Sequence, residues 1–315
     1  MSLLTTIAKG QRIMTSINTN NAAMAALSTL RTVNNNLTST QNAVSSGLRI
    51  SKASDNATYW SVATTMKSDV GALSAVSDAL GLGAAKVDTA YTAMDSAIDI
   101  VGQIKDKLVT AKEGSVDKTK IQGEITQLQQ QLQSVAQSAS FNGENWVMTS
   151  DTQGSVVSSF VRDSSGGVSV TSADYDFDTG TTGNVLFGAN AGVIDTTAGI
   201  LGTADGNGLS VAGLTLTSAS TGGDVDNAMT TVENALSAMT TAAAGLGSLS
   251  TRIDLQTSFA SSMSDALTAG VGKLVDADME EESSKLSALQ TQQQLAVQSL
   301  SIANSSAQSI LSLFK

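Results

Sequence analysis

The chain has 315 residues, lacks cysteine, histidine and proline, and carries a net charge of −11. The absence of cysteine and histidine excludes disulfides, Cys/His zinc sites, Cys nucleophiles and His-based triads, so we expect neither an enzyme nor a cofactor. The acidic balance argues against nucleic acid as a partner, because neutralising phosphates needs a basic surface. No apolar run reaches the roughly 18 residues that span a bilayer, so we expect no membrane span.

The first part of the chain predicts one long helix. Residues 1–13 resemble nothing that follows them, and we interpret them as an extension or leader before Met14. Between residues 14 and 50, side chains at alternating intervals of three and four form a heptad seam, which is typical of a coiled coil. The seam consists of Ala23, Leu27, Leu30, Asn34, Leu37, Gln41, Val44 and Leu48. Gly47 ends this helix, and Ser54 or Asp55 is expected to cap the next one.

Residues 51–147 predict the first part of a helical bundle. A helix is expected over roughly 57–112, with Gly114 as its C′ residue, and Asp117 is expected to cap a third helix. We interpret Gly81 and Gly83 as a helix irregularity, since a dinucleotide-binding loop needs a third glycine and a preceding strand. The predicted core residues here are Val87, Met94, Ile98, Val101, Leu108, Leu128 and Leu132.

The bundle segment ends in an Asn-Gly pair, Asn142-Gly143, which predicts a β-hairpin. Residues 148–223 are rich in Gly, Thr, Ser, Asp and Val and predict a small, variable β insertion. Its expected strands are Ser155–Val161, Val168–Thr171 and Leu209–Thr217. Asp174, Asp176 and Asp178 would share one strand face; a calcium site is conceivable there, but we favour a solvated edge.

Helix returns over residues 224–271, where we expect Leu236, Leu246 and Ile253 in the bundle core. Gly270 and Gly272 are expected to loosen the chain before the acidic run 276–282 opens a last helix. Acidic residues at a helix N-terminus favour an interaction with the helix dipole over a cation site. Residues 272–315 then carry a second heptad seam, formed by Leu286, Leu289, Gln293, Ala296, Leu300, Ala303, Ala307, Ile310 and Phe314.

The two seams lie at opposite ends of the chain, and we expect the two helices to pair; the alternative is two core helices that never meet. Leu295, Ile302 and Leu313 fall off the main seam of the last helix. The predicted fold is therefore mainly α with a small β insertion. We expect an elongated rod of coiled-coil terminal helices, helical bundle and β-rich tip.

Six stretches, in the same order, resemble those of bacterial flagellins, the subunits of flagellar filaments. They are Ile17-Asn18-Thr19-Asn20; Ser46-Gly47-Leu48-Arg49-Ile50 followed by Asp55-Asn56-Ala57; Phe141-Asn142-Gly143; Leu246-Gly247 with Arg252-Ile253; Asp276-Ala277-Asp278 with Glu282 and Leu286; and Ala303-Asn304 with Ser309-Ile310-Leu311-Ser312-Leu313. The resemblance covers roughly residues 14–147 and 224–315. It leaves the insertion unmatched.

The resemblance implies a secreted structural subunit that polymerises head-to-tail into an extracellular filament for motility, with itself and with sister flagellins as partners. It also implies type III export, an export chaperone, a filament cap and hook-associated proteins. A hook-filament junction protein is the alternative. Residues implied in self-assembly are Leu27, Leu30, Leu37, Val44, Leu48, Leu286, Leu289, Leu300, Ile302, Ile310, Leu313 and Phe314, and the domain-joining segment contains Gly47, Arg49, Asp55 and Asn56.

One stretch departs from the family pattern. Many flagellins carry Gln-Arg-Val-Arg-Glu-Leu where this chain has Gly102-Gln103-Ile104-Lys105-Asp106-Lys107-Leu108. In the family this patch is read by an innate Toll-like receptor. Because Gln103 replaces the first arginine, we expect weak activation of that receptor.

Overall fold

The computed structural model describes residues 19–190 and 192–312, the last six of these as backbone only. Within these residues the fold is mainly helical with a β insertion, which confirms the predicted class. The helices are α1 Asn21–Ser46, α2 Ala57–Ala111, α3 Lys118–Ser138, α4 Gly222–Val275 and α5 Met279–Ser312. The strands are β1 Ser140–Phe141, β2 Glu144–Asn145, β3 Met148–Thr149, β4 Gln153–Arg162, β5 Val168–Asp176, β6 Phe187–Asn190 and β7 Val193–Asp195.

Side-chain caps decide where the helices begin. The carboxylate of Asp117 accepts the amide of Thr119 and starts α3, as predicted. The prediction of Ser54 or Asp55 as the cap of α2 is wrong, because the side-chain oxygen of Asn56 accepts the amides of Thr58 and Tyr59. Each such cap satisfies a backbone donor that has no partner within the helix.

Glycine ends only one of the two helices for which it was expected to do so. Gly47 closes α1 in the left-handed region at φ 71°, with its amide bonded to the carbonyl of Ala43. The expectation for Gly114 is wrong, since α2 stops at Ala111 and Gly114 has no positive φ. The amide of Lys112 instead bonds to the carbonyls of Leu108 and Val109, which tightens the last turn.

The described chain forms two compact units. The terminal unit contains the described residues up to Ser68 and from Leu267 onwards, and the bundle unit is Asp69–Ala266. The terminal unit thus extends beyond the expected limits at residues 50 and 272. The expected break at Gly270 and Gly272 is wrong: α4 is uninterrupted to Val275, whose burial with Val271 holds this part of the helix.

In the terminal unit, α1 packs lengthwise against α5, which confirms the predicted pairing of the two end helices. Val33, Leu37 and Leu289 form the core of this pair, with Leu286 packed against them. A second small cluster lies where α2 begins and α4 ends, and it consists of Ile50, Ala63, Val271 and Val275. Both cores are small, so the terminal unit buries little apolar surface.

The bundle unit has one continuous core that α2, α3, α4 and the insertion share. Its largest fully buried side chains include Phe187, Leu80, Met94, Ile104, Leu108, Ile125, Leu132, Leu186, Leu201, Leu214 and Met239. Ion pairs lie along the helices of the bundle: Lys105–Glu233 at 2.5 Å, Lys107–Glu124 at 2.6 Å and Lys112–Asp226 at 2.6 Å. These pairs are exposed, so the apolar core supplies most of the stability.

The insertion begins with the predicted hairpin. β1 pairs with β2 antiparallel, and the turn residues Asn142 and Gly143 have φ of 51° and 88°. Two positive φ values in a two-residue loop are what a type I′ turn requires. The predicted strands at 155–161 and 168–171 are confirmed as parts of the antiparallel pair β4–β5, while β3, β6 and β7 form a separate small sheet.

The third predicted strand, Leu209–Thr217, is absent from the described strands. The preceding turn does form, since the carboxylate of Asp205 accepts the amides of Asn207 and Leu209. Beyond it the backbone bonds to side chains of α3: Gln129 donates to the carbonyls of Val211 and Leu214, and Gln122 exchanges hydrogen bonds with Leu214 and Leu216. The alternating apolar residues pack on α3, and glutamine amides replace a neighbouring strand.

Two contacts hold the β4–β5 pair along α2. A Cβ on Gly83 would lie 2.1 Å from Val156 Cγ1, so only glycine lets β4 approach this closely. Arg162 forms an ion pair with Asp69. The interpretation of Gly83 as a helix irregularity is therefore wrong, because α2 is a single helix and the glycine makes room for β4.

An aromatic cluster joins β5 to the segment that follows the hairpin. Trp146 stacks on Tyr175 at a centroid distance of 5.9 Å and meets the edge of Phe177 at 5.5 Å. Burial raises the pKa of the Tyr175 phenol above its usual value of 10.0, against an opposing hydrogen bond with Asn184. The cluster attaches β5 and the residue after it to Trp146, directly after the hairpin.

Helix α2 contradicts the prediction that no stretch is long and apolar enough to cross a bilayer. An 18-residue stretch of this helix has a mean hydropathy of 1.3 and meets the length and composition required, with 28% of the stretch buried. A single such helix is weak evidence for a span, since core helices of soluble proteins meet the same requirement.

Candidate assembly surface

The paired helices α1 and α5 provide the candidate surface for assembly. On α5 the predicted seam faces α1 throughout the described side chains. Leu289 and Ala296 are buried, and the other four seam residues before residue 304 are half-buried: Leu286, Gln293, Leu300 and Ala303. The side chains of Ala307 and Ile310 and all of Leu313 and Phe314 lie outside the described residues.

On α1 the predicted seam is wrong at Gln41, whereas Asn34 does contact α5. Val33 and Thr40 are buried, whereas Asn34 is half-buried and Gln41 is exposed. Both phases satisfy a three-four alternation after Leu30, so spacing alone does not choose between them. Of the other predicted positions Leu37 is buried, Leu30, Val44 and Leu48 are half-buried, and Leu27 is 37% exposed.

Polar contacts fix how the two helices are aligned. Gln293 Nε2 donates to Asn34 Oδ1 at 2.7 Å, in the middle of the pair. Near its end, Asn20 Nδ2 donates to the carbonyl of Ala303 at 3.0 Å. Because sliding one helix by a turn would leave these groups unpaired, the contacts specify register at little gain in stability.

The outward faces of the pair are almost uncharged and carry a few exposed apolar side chains among Ser, Thr, Gln and Asn. Met24, Leu295, Val297 and Ile302 are each more than half exposed. Arg31 is the one charged residue in the α1 sequence, and none occurs from Leu286 to Phe314. Such a surface is soluble because of its Ser, Gln and Asn side chains. It keeps several large apolar groups in water.

The predicted joining segment is tied to the end of α4. The amides of Arg49 and Ile50 donate to the carbonyl of Val275 at 2.7 and 3.2 Å, and the Arg49 guanidinium donates to the carbonyl of Leu274 at 3.0 Å. The amide of Ala277 donates to the carbonyl of Gly47. These bonds connect the segment that follows α1 to the segment that precedes α5.

Asp55 and Asn56 shape the turn between α1 and α2. The Asp55 carboxylate accepts the amides of Ser51 and Lys52 at 3.0 and 3.1 Å. The hydrogen bond from the Ser51 amide is the main reason that the pKa of Asp55 is lowered, and it outweighs the opposing effect of burial. Asn56 caps α2, so both predicted residues have defined structural roles here.

The predicted bundle-core residues lie in the core or at its margin. Seven are buried: Val87, Met94, Val101, Leu108, Leu132, Leu246 and Ile253. The other three, Ile98, Leu128 and Leu236, are partly buried and pack against the core. The sequence reasoning missed Ile104 and the small residues Ala90, Ala97 and Ala111, all of which are almost fully buried. Tyr91, which lies between Val87 and Met94 on α2, is 44% exposed.

The two acidic stretches have local roles. The carboxylate of Asp278 accepts the amides of Glu280 and Glu281 and caps α5. β5 ends at Asp176, so Asp178 does not share its face; it caps a turn by accepting the amide of Gly180. Across the described residues, no group of three acidic, histidine or cysteine side chains is arranged to hold a metal.

Comparison with known proteins identifies the family. The model for the bacterial flagellin N-terminal helical region matches residues 17–152, and the model for the C-terminal helical region matches residues 229–314. Flagellin A of Rhizobium meliloti strain 1021 is 45% identical over 96% of this chain and 100% of its own length. The chain belongs to the bacterial flagellin family. It is a structural subunit of the flagellar filament and not an enzyme.

Other flagellins match over the same extent. Flagellin C of Rhizobium meliloti strain 1021 is 48% identical and a flagellin of Brucella melitensis is 46% identical, each over 96% of this chain and all of its own length. These relatives do not favour the alternative of a hook-filament junction protein. The crystal structure of Bacillus cereus flagellin matches 59% of this chain and 88% of its own, at 19% identity and a TM-score of 0.37.

Proposed function

We propose that the outward faces of α1 and α5 are the surface through which copies of this flagellin join in the filament core. One observation carries the proposal: two paired helices, aligned by half-buried amides, keep their outer apolar side chains in water. Of the assembly residues expected from the sequence, Leu27 and Ile302 are exposed on this surface, whereas Leu37 and Leu289 are buried between the two helices and stabilise the pair. Leu295, which falls off the seam, and Met24 and Val297 are exposed as well.

Burial of this surface between copies would contribute favourable free energy to assembly. Full burial of a Leu, Ile or Val side chain contributes about 1.5–3 kcal/mol. Leu295, Val297 and Ile302 are 53–65% exposed, so each would contribute a substantial part of that amount. Faces that match a different face on the next copy add head-to-tail, and a rotation that does not close produces a helix.

The same proposal gives the segments their places in the filament. Residues 14–50 and 272–315 form the inner tube, residues 51–147 and 224–271 form the layer around it, and residues 148–223 face solvent. The chain leaves the cell through the flagellar type III apparatus with an export chaperone, and it polymerises beneath a cap after the hook-associated proteins. The absence of proline and cysteine suits passage of an unfolded chain, because nothing must isomerise or be reduced.

Polymerisation of the purified chain tests the main claim. We expect long filaments by electron microscopy when short filament seeds are supplied. Ile302→Ser should slow their growth, because it removes a 65% exposed apolar side chain from the proposed surface. Val168→Ser is the matched control: Val168 is 59% exposed but lies on β5. Equal slowing by both variants, or a short ring without elongation, would contradict the proposal.

Ordering of the end helices is a second part of the proposal. The helix pair has a small core and few charges, so contacts with other copies are expected to supply much of its stability. Amide exchange should be rapid across residues 286–314 in free monomer and slow in the filament. Strong protection in dilute monomer would show that the pair is already stable alone.

We also propose that the innate receptor for flagellin responds weakly. Gln103 is exposed, Lys105 is held in its ion pair with Glu233, and Ile104 and Leu108 are fully buried. The exposed part of the patch therefore lacks the first arginine of the family pattern. Strong signalling by purified monomer, equal to that of a Gln103→Arg variant, would contradict this.

A further inference from the structure

An aromatic patch lies at the start of α2, in the terminal unit. We define it as Tyr59, Trp60 and Val62, which are 45%, 38% and 46% exposed. Every residue from Ser51 to Val62 is exposed, and the first buried residue of α2 is Ala63. Only 3% of the chain is aromatic and it has two tryptophans, so an exposed Tyr-Trp pair is a large share of its aromatic side chains.

The charges around this patch differ in sign from those of the rest of the chain. Residues 19–68 carry four basic side chains and one acidic one, whereas residues 69–266 carry eight basic and 22 acidic ones. Lys52 and Lys67 flank the patch, and neither forms an ion pair with any described residue. Asp55 lies between Lys52 and the patch in the sequence, so the rim is basic on balance, with two lysines against one carboxylate, in a protein that is acidic overall.

The bundle unit carries a surface of the opposite kind. Leu255, Phe259 and Met263 recur every fourth residue on α4 and are 67%, 56% and 39% exposed. We call them the α4 stripe. Asp254 and Asp265 flank it, both exposed and without an ion pair to a described residue; Arg252 is the one basic side chain nearby. This is an apolar row with mainly acidic flanks.

We propose that the aromatic patch of one copy docks on the α4 stripe of a second copy. The inference rests on the proposed assembly function and names a contact outside the terminal helix pair. Trp and Tyr are the side chains that most often dominate protein interfaces, and complementary charges at the rim steer the partners and set their register. A patch that meets a different patch on its neighbour is also the arrangement that a helical polymer requires.

Engineered cysteines test this contact, because the chain has none of its own. Thr64→Cys places a thiol one turn beyond Trp60, and Ser262→Cys places one between Phe259 and Met263; both positions are exposed. Filaments grown from an equal mixture of the two variants and then oxidised should give disulfide-linked dimers. Ser261→Cys, which points from a different side of α4, is the matched control and should give several-fold less.

A second measurement keeps the test independent of these variants. In the monomer, quenching of tryptophan fluorescence by acrylamide should come mainly from Trp60, because Trp146 is only 5% exposed. If the patch docks, quenching should fall and emission should shift to shorter wavelength in filaments of the unmodified chain.

The outcomes separate this contact from assembly itself. Filaments in which Trp60 stays as quenchable as in the monomer would overturn the contact while leaving the proposed function intact. Buried Trp60 with no more cross-linking to position 262 than to position 261 would overturn the choice of partner surface. Failure of the unmodified chain to polymerise at all would overturn both proposals.

Discussion

The two compact units of this flagellin are built from similar helices but are stabilised differently. The bundle unit buries a continuous apolar core, and Leu80, Met94, Ile104 and Leu132 have almost no contact with solvent. The terminal unit has two clusters of three and four buried residues, and three large side chains of α5, Leu295, Val297 and Ile302, point outwards. The number of buried apolar side chains thus separates a unit with a large core from one that we propose to depend on contacts with other copies.

A charge in the helix pair should have the largest effect. Leu300 is half-buried on the α5 seam, and Leu300→Asp places a carboxylate there without a partner. We expect polymerisation to be abolished, while the bundle unit keeps its helical circular dichroism and cooperative unfolding. Val168→Asp makes the same kind of change on β5 and should leave polymerisation intact. Normal filaments from Leu300→Asp would contradict the role of the paired helices in assembly.

A cavity in the bundle should have the opposite consequence. Leu132 is 1% exposed, so Leu132→Ala should lower the free energy of unfolding of the bundle unit by about 2–5 kcal/mol. Leu82→Ala removes the same atoms from a side chain that is 60% exposed and should change it by less than about 0.5 kcal/mol. Urea unfolding of the monomer measures both. A loss below about 1 kcal/mol for Leu132→Ala would show that the bundle core is not what holds this unit.

Two glycines of α2 give a sharper test inside the bundle. Gly83→Ala would push a Cβ against Val156 and should displace β4, at a net cost of about 1–3 kcal/mol. Gly81 has no heavy atom within 4 Å of an added Cβ, so Gly81→Ala should instead stabilise the helix by about 1 kcal/mol. The two substitutions, two residues apart, should therefore change the free energy of unfolding in urea in opposite directions. A change of the same sign for both substitutions would mean that β4 moves away from the added Cβ without cost.

These glycines also show what the sequence could and could not predict. The pairing of α1 with α5 was predictable because a heptad seam records the buried face of a helix directly. The hairpin at Asn142-Gly143 was predictable because few residues adopt two positive φ values. Gly83 was misinterpreted, because the residue that needs its missing side chain, Val156, is distant in the sequence and nothing local points to it.

Other errors have the same origin in distant partners. The stretch Leu209–Thr217 alternates as a strand does, but its backbone groups are satisfied by Gln122 and Gln129 on α3, which no local pattern reveals. Val33 and Asn34 fit the seam of α1 equally well by spacing. Both lie in the helix pair, Val33 buried in its core and Asn34 bonded to Gln293, which is 259 residues away in the sequence.

The amide pair in the terminal unit should have a modest effect on stability. Asn34→Ala leaves the half-buried Gln293 amide without its acceptor and should cost about 1 kcal/mol, seen as a lower temperature of filament depolymerisation. Asn35→Ala, at the exposed neighbouring position, is the control and should change the depolymerisation temperature little. Leucine at both positions 34 and 293 should restore stability but no longer fix the register of the two helices. Engineered cysteines on α1 and α5 would then cross-link also when they are offset by one helical turn. A single register in the double variant would contradict the role assigned to these amides.

The smallest expected effect is on the pH dependence of the bundle unit. At the start of α4 the Asp224 carboxylate accepts the Thr221 amide at 2.7 Å and the Thr221 hydroxyl at 2.9 Å, and the Thr221 hydroxyl in turn accepts the Asp224 amide. The hydrogen bond from the Thr221 amide is the main cause that lowers the pKa of Asp224. A lowered folded pKa stabilises the fold above the unfolded value of about 3.9, and this contribution is lost as the pH falls through the folded pKa.

Asp224→Asn removes the charge of this side chain and so should separate its contribution to the pH dependence of unfolding from those of the other carboxylates. The variant should unfold more easily than the unmodified chain at pH 7, and the difference should shrink as the pH falls below about 4, because both side chains are then uncharged. Urea unfolding at pH 7, 5 and 3 measures it. A difference that stays constant with pH would show that the amide of asparagine fits the Thr221 cap poorly and that charge has no part in it. The terminal helix α1 begins with the neutral cap Asn20, so its stability should carry no such pH dependence from its cap.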